Sequence, residues 1–229
     1  MQKSINLFVI HYSPWKNLIL LLICTLLYSC TTSEPEEAVT PPNILLIISD
    51  DQGWTDYGFM GHEVIRTPRL DAMAQEALCF TRGYATAPLC SPSLASIITG
   101  QYAHRHGITG NDPPFRWDGA RYTPEWLATR RSHFDTLLES FYQLPLLTEH
   151  LANAGYRSLQ TGKWWLGSWQ DGGFDAGMTH GDPTRRGRHG DAGLTIGREG
   201  LDTIFNFVST CQQQDQPFFV WYAPFLPHS

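Results

Sequence analysis

Five side chains in this 229-residue sequence have the types and positions to handle a negatively charged ester. Asp50 and Asp51 are adjacent carboxylates placed just after an apolar run. Two hard oxygen donors side by side suit a divalent cation, Ca²⁺ before Mg²⁺. Cys90 precedes Pro92, and proline favours the first turn of a helix. A thiol there shares its position with a natural anion site, because helix N-termini present free N–H groups. Lys163 follows a glycine at the end of a β-favouring stretch, and His228 follows Pro227. Taken singly, each has a plainer reading: a turn for the aspartates, a small buried side chain for the cysteine, a solvated charge for the lysine. Gathered in one place, they make a cation cradle, an ammonium, an imidazole and a sulfur around one anion.

Gathering them is the task of the surrounding elements. Residues 43–49 form an apolar run without alternation, which predicts a central parallel strand buried on both faces. Residues 156–161 and 217–222 predict two more strands, one leading to Lys163 and the other towards His228. Helices are expected over 70–78, from Pro92 to a stop at Gly100, over 144–154 with a stop at Gly155, and over 201–211. In the last of these Leu201, Ile204, Phe205 and Val208 share a face. Residues 78–84 predict a strand. Residues 110–143 read as an insertion with a short helix over 134–141, and 167–200 as a long glycine-rich loop of the functional kind. Strands alternating with helices give an α/β class, a doubly wound, mostly parallel sheet flanked by helices. Ligands of such sheets bind beyond the carboxyl ends of the strands. Asp50, Asp51, Lys163 and His228 all fall there, and Cys90 joins them if its helix points its N-terminus at that edge.

Three other groupings have two readings each. His104 and His106 suit a metal, or a solvated loop. Arg185, Arg186 and Arg188 with His189 make a basic patch fit for a sulfate or carboxylate, or simply for water. Trp164, Trp165 and Trp169 would stack on a sugar or fill a core.

The first forty residues have a different character. Lys3 and Lys16 precede an apolar run over 18–27, which as a helix covers only ~15 Å, too little to cross a bilayer. This predicts a secretory signal over 1–29. The ending at Cys30 resembles a bacterial lipobox, which implies a lipid anchor on Cys30 and a tether over 30–42. The expected location is that of an exported lipoprotein, at the bacterial outer membrane or in the periplasm. Removing residues 1–29 takes away two lysines and no acids, so the formal charge moves from −6 to −8. Nucleic acid is therefore not an expected partner. Cys79, Cys90 and Cys211 remain, an odd set in which at least one is free or modified. The sequence sets no oligomeric state.

Five segments, in order, resemble the type I sulfatase family of the alkaline-phosphatase-like superfamily. They are the strand from Pro42 to Trp54, the stretch from Thr67 through Tyr84, Cys90-Ser-Pro-Ser-Leu-Ala-Ser-Ile-Ile-Thr-Gly100, Gly162-Lys-Trp-Trp-Leu-Gly167, and Pro217 to His228. The resemblance implies that Cys90 is oxidised to formylglycine, whose hydrate attacks the sulfur of a sulfate ester. It implies that Asp50, Asp51 and the residue at position 90 hold Ca²⁺, that Lys163 binds sulfate or assists the leaving oxygen, and that His228 contacts sulfate or donates a proton. The implied substrate is a sulfated glycan or a small sulfate ester. Two positions depart from the family. Leu94 replaces an arginine that guides maturation and steadies the formylglycine, and it offers neither charge nor hydrogen bonds. Trp165 replaces a histidine that handles the formylglycine hydroxyl proton. Both weigh against formylglycine at Cys90, Leu94 first. The family pattern also continues past this length with an Asp-Asn pair completing the Ca²⁺ site, another lysine and a smaller domain. Residues 43–229 are thus expected to be a C-terminally truncated catalytic domain. The rival readings are a non-catalytic binder of sulfated or anionic ligands, and a phosphoesterase using Ser91, Ser93 or a metal-bound water.

Overall fold

A computed structural model describes residues 41–228 of the chain. The proposed signal over 1–29, Cys30 and nearly all of the tether lie outside the described residues.

Four parallel strands run β1 (Ile44–Ile47), β2 (Arg157–Gly162), β3 (Ala176–Gly177) and β4 (Phe218–Ala223), in the spatial order β1-β4-β2-β3. β4 sits between β1 and β2, with Val220 opposite both Leu45 and Leu159. Its side chains alternate as a pleated strand requires. Phe219, Trp221 and Ala223 enter one core with Ile98, Phe141 and Trp164. Phe218 and Val220 enter a second core with Leu159, Ile204, Phe207 and Cys211. Helices therefore cover both sides of β4 and β2, which is the doubly wound α/β arrangement expected.

The helices are α1 (Pro68–Glu76), α2 (Cys90–Thr99), α3 (Ala103–His106), α4 (Pro124–Phe141), α5 (Leu147–Asn153) and α6 (Asp202–Gln213). α2 places Pro92 in its first turn and stops at Gly100, whose φ of 65° is the left-handed conformation glycine adopts without strain. α4 is longer than the eight-residue helix expected inside the insertion. Thr123 caps it by accepting the Trp126 N–H, and Pro124 opens it.

Two expectations fail for identifiable reasons, and a third fails at one residue. β1 is an edge strand, not a central one: Ile44 and Leu46 meet the first core, but Leu45 is 52% and Ile47 54% exposed. The core that α6 builds over β4 does not reach β1 among the described residues. Residues 78–84 form no strand; Leu78, Phe80 and Tyr84 are exposed and find no sheet edge. On α6, Leu201, Ile204 and Val208 pack into the second core as expected, but Phe205 faces outward and Phe207 and Cys211 complete the buried face.

One close approach governs how the strand ends meet. Gly162 has φ 82°, and a Cβ there would lie 1.9 Å from the Ala223 carbonyl oxygen. Any other residue would push β2 from β4 immediately before Lys163. Gly162→Ala is expected to destabilise the fold by about 3 kcal/mol in urea unfolding; a change near zero would show that the two strand ends do not approach so closely.

Candidate functional site

Parallel strands send their carboxyl ends to one rim, and the polar residues after β1, β2 and β4 meet there. The chain leaving β1 keeps step with the chain leaving β4: Ile48 donates to the Tyr222 carbonyl, and Asp50 donates to the Leu226 carbonyl at 2.9 Å. Lys163 donates its backbone N–H to the Ala223 carbonyl at 2.7 Å. These bonds fix the main chain of Asp50 and Lys163 on either side of the chain leaving β4.

Their side chains close the gap. Lys163 Nζ lies 2.5 Å from Asp50 Oδ2, an ion pair whose side chains are 4% and 10% exposed. Nζ is also 3.1 Å from Cys90 Sγ, and Sγ is 4.0 Å from Asp50 Oδ1. Asp50, Asp51 and Cys90 offer three donor atoms within 4.8 Å of one another. Asp51 has φ 55°, and its carboxylate lies 3.5 Å from His228 Nε2. Arg198 holds the segment carrying His228 by donating to the carbonyls of Phe225, at 2.6 Å, and His228, at 3.1 Å. All five residues singled out from sequence therefore converge. A cavity of about 250 Å³ opens on Asp50, Asp51, Cys90 and Lys163, walled by Pro88, Leu89, Ser93, Leu94 and Pro224 among others, while His228 stands beside it through Asp51.

The donor set bears on which cation it could hold. Two carboxylates suit a hard cation such as Ca²⁺, but a thiol is a soft ligand that Ca²⁺ does not seek. An oxygen-bearing group at position 90 would make all three donors hard. Three donors supply only part of the ~6–8 oxygens Ca²⁺ takes. The residues present thus fit a hard divalent cation as a partial shell, with sulfur as the mismatched member.

A single family model, Sulfatase, matches residues 42–229. The chain belongs to the sulfatase family. Human N-acetylgalactosamine-6-sulfatase is 40% identical over 130 residues, which is 57% of this chain and 23% of that enzyme. Among solved structures, Ps i-CgsB superposes with a TM-score of 0.59 at 24% identity, over 82% of this chain and 46% of that one. BT4656, solved with its substrate D-glucosamine-2-N,6-O-disulfate, superposes with a TM-score of 0.55 at 25% identity, over 82% of this chain and 35% of that one. The chain spans less than half the length of each of these three proteins.

Leu94 and Trp165, the two positions that depart from the resembled pattern, are both buried. Leu94 is buried one turn after Cys90 and forms apolar wall of the cavity. Trp165 has φ 67° and is 6% exposed. The Arg188 guanidinium lies 4.4 Å from its ring centroid and the His189 ring 4.5 Å away. Burial first, then the cations Arg188 and Lys163, push the His189 pKa below its ordinary value.

The other sequence candidates divide. His106 is no metal ligand: it is buried, accepts the Ile108 N–H at Nδ1 and turns Nε2 to Ser96 Oγ at 3.0 Å. His104 instead stacks on Tyr102. Trp164 and Trp165 are core residues, not a sugar platform. Ser93 lines the rim cavity, whereas Ser91 is buried away from it and donates its backbone N–H to Asn111 Oδ1 at 3.0 Å. Sequence reasoning missed Asn111, which restrains the start of α2, and Arg198, which positions the His228 segment. It also missed Asp191, a buried carboxylate accepting the N–H groups of His180, Asp182 and Ala192 in the glycine-rich loop. Asp191 lies between two glycines' worth of irregular chain, and no periodic pattern marks it.

Two outcomes follow for the isolated protein. Lys163→Met or Asp50→Asn alone leaves one buried charge unpaired and is expected to lower unfolding free energy by about 3–5 kcal/mol, while the double variant recovers most of it. Additive losses in the chemical-denaturation cycle would contradict the pair. His106 and His189 have pKa values lowered mainly by burial. The stability they confer is complete above the unfolded value of about 6.5 and falls as the pH drops through the lower folded values. His106→Gln should flatten the loss of stability below about pH 6.5; an unchanged slope would show that this imidazole is not kept neutral by the fold.

Proposed function

We propose that this rim hydrolyses a sulfate ester, with Cys90, oxidised to formylglycine, furnishing the attacking oxygen. The observation that carries this reading is the convergence of Asp50, Asp51, Cys90 and Lys163 on one cavity at the strand ends, with His228 next to Asp51. Asp50, Asp51 and the residue at 90 would hold Ca²⁺, which when bound neutralises charge on sulfate oxygens. The Lys163 ammonium, already in contact with Sγ, would exchange part of that contact for a sulfate oxygen and hold the anion against the start of α2. His228 would donate a proton to the leaving alcohol, its ring oriented through Asp51 and the Phe225 ring, 4.4 Å away. Leu94 and its apolar neighbours keep water from that side of the cavity. A sulfated amino sugar is the first substrate class to try, given the disulfated glucosamine bound by BT4656. We further propose export through residues 1–29, supported by Lys3 and Lys16 ahead of the apolar run over 18–27, and membrane attachment through Cys30, supported by the lipobox-like ending.

Leu94 favours a second reading, a relative that binds a sulfated ligand without turning it over, because the side chain beside Cys90 lacks the family's guanidinium. Mass spectrometry of the peptide containing residue 90, with assay of sulfate release from D-glucosamine 6-sulfate, separates the two. Hydrolysis predicts an aldehyde at position 90 and sulfate release that Cys90→Ala and calcium chelation abolish. An intact thiol, no release and saturable binding lost in Lys163→Ala would establish the binder. Phosphate-ester cleavage that survives Cys90→Ala would point instead to a phosphoesterase.

A further inference from the structure

A second cavity, of about 600 Å³, lies between α4 and the loop over 180–188. Its lining includes four arginines, Arg130, Arg131, Arg186 and Arg188, against two acids, Asp135 and Asp171. The arginines outnumber the carboxylates that line the cavity or pair with them, four to three counting Asp112. Arg130 and Arg188 share one carboxylate oxygen, Asp112 Oδ1, at 2.5 and 2.6 Å. One carboxylate between two guanidinium groups leaves a net positive charge. Asp171 is taken up by the N–H and hydroxyl of Ser168, at 2.9 and 2.7 Å. Asp135 stands 3.8 Å from Arg131, and Arg186 has no ion pair among the described residues. Guanidinium groups suit carboxylates and sulfates because their donors form a planar fork.

Trp165 joins this cavity to the rim. The Arg188 guanidinium carbon is 4.4 Å from the indole centroid, and Lys163 Nζ is 5.9 Å from the same centroid. One buried aromatic ring is thus in contact range of both the rim ammonium and one guanidinium of the cleft.

We propose that the cleft between α4 and the 180–188 loop is a second anion subsite, taking an acidic group, carboxylate or sulfate, additional to the sulfate ester held at the rim of the same glycan. This rests on the reading of the rim as a sulfate-ester site. Arg131 and Arg186, which are exposed and outside the Asp112 node, supply charge to it.

Titration calorimetry of the full chain with three probes tests this: D-glucosamine 6-sulfate, D-glucosamine-2-N,6-O-disulfate, and a uronate–glucosamine 6-sulfate disaccharide. Wild type is expected to bind at least one of the doubly acidic probes more tightly than the monosulfate, and which of the two it prefers identifies the acid. Arg131→Gln/Arg186→Gln, with thermal unfolding matching wild type, should weaken that probe by about tenfold and leave the monosulfate unchanged. Equal affinity of wild type for all probes, no binding at all, or a double variant that binds like wild type would overturn the subsite. Lys163→Gln serves as the separate arm: if it leaves monosulfate binding intact, the rim reading fails, whereas an arginine-dependent gain from the second acid still upholds the cleft.

Discussion

Asp50 and Lys163 lie 113 residues apart and form an ion pair that is almost closed to solvent. Neither charge is tolerable there without the other, since removing an ion from water costs several kcal/mol even in a relaxed protein interior. The pair therefore acts as a registry device: it is satisfied only when the ends of β1 and β2 flank β4 at the right height. Most of the surrounding structure serves that condition. Gly162 lets β2 press against Ala223, the Lys163 N–H bonds to Ala223, and the Asp50 N–H bonds to Leu226. Cys90 then meets an ammonium already held in place.

The same arrangement explains why the site is charged yet stable. The Lys163 ammonium faces Asp50 and Cys90 on one side and the Phe225 ring, 4.9 Å away, on another. Aromatic rings stabilise a cation without neutralising it, so the ammonium keeps its attraction for an incoming anion. Leu94 lines the cavity and Trp165 is buried near Lys163, and neither carries a charge, so the charge pattern of the rim is set by Asp50, Asp51 and Lys163.

Much of this was legible in the sequence because strands announce their own ends. A β-favouring run followed by Asp-Asp, another followed by Gly-Lys, and a third followed by Pro-His place three polar groups at carboxyl ends before any coordinate is known. The α2 boundaries were equally plain, with Pro92 and Gly100 as start and stop. What could not be read was anything set by long-range packing. Whether β1 is central or edge depends on what covers Leu45 and Ile47, not on its own composition. The orientation of α6 is fixed by the second core, which buries Phe207 in place of Phe205. The pairing of Arg188 with Asp112 spans 76 residues, and no local pattern in the glycine-rich loop points to it. The buried role of His106 is similar: two histidines flanking an arginine look alike in sequence, and only the packing against Phe141 and Ser96 separates them.

The claim on which the whole account turns is that three strand ends and the start of α2 face one anion. A crystal structure of the protein soaked with tungstate, a heavy tetrahedral relative of sulfate, tests it most directly. The account predicts an anomalous peak at the mouth of the rim cavity, within hydrogen-bond reach of Lys163 Nζ and beside residue 90. Side chains of residues 50, 90 and 163 found on opposite rims of the sheet, or a rim that stays empty while tungstate binds elsewhere, would contradict it.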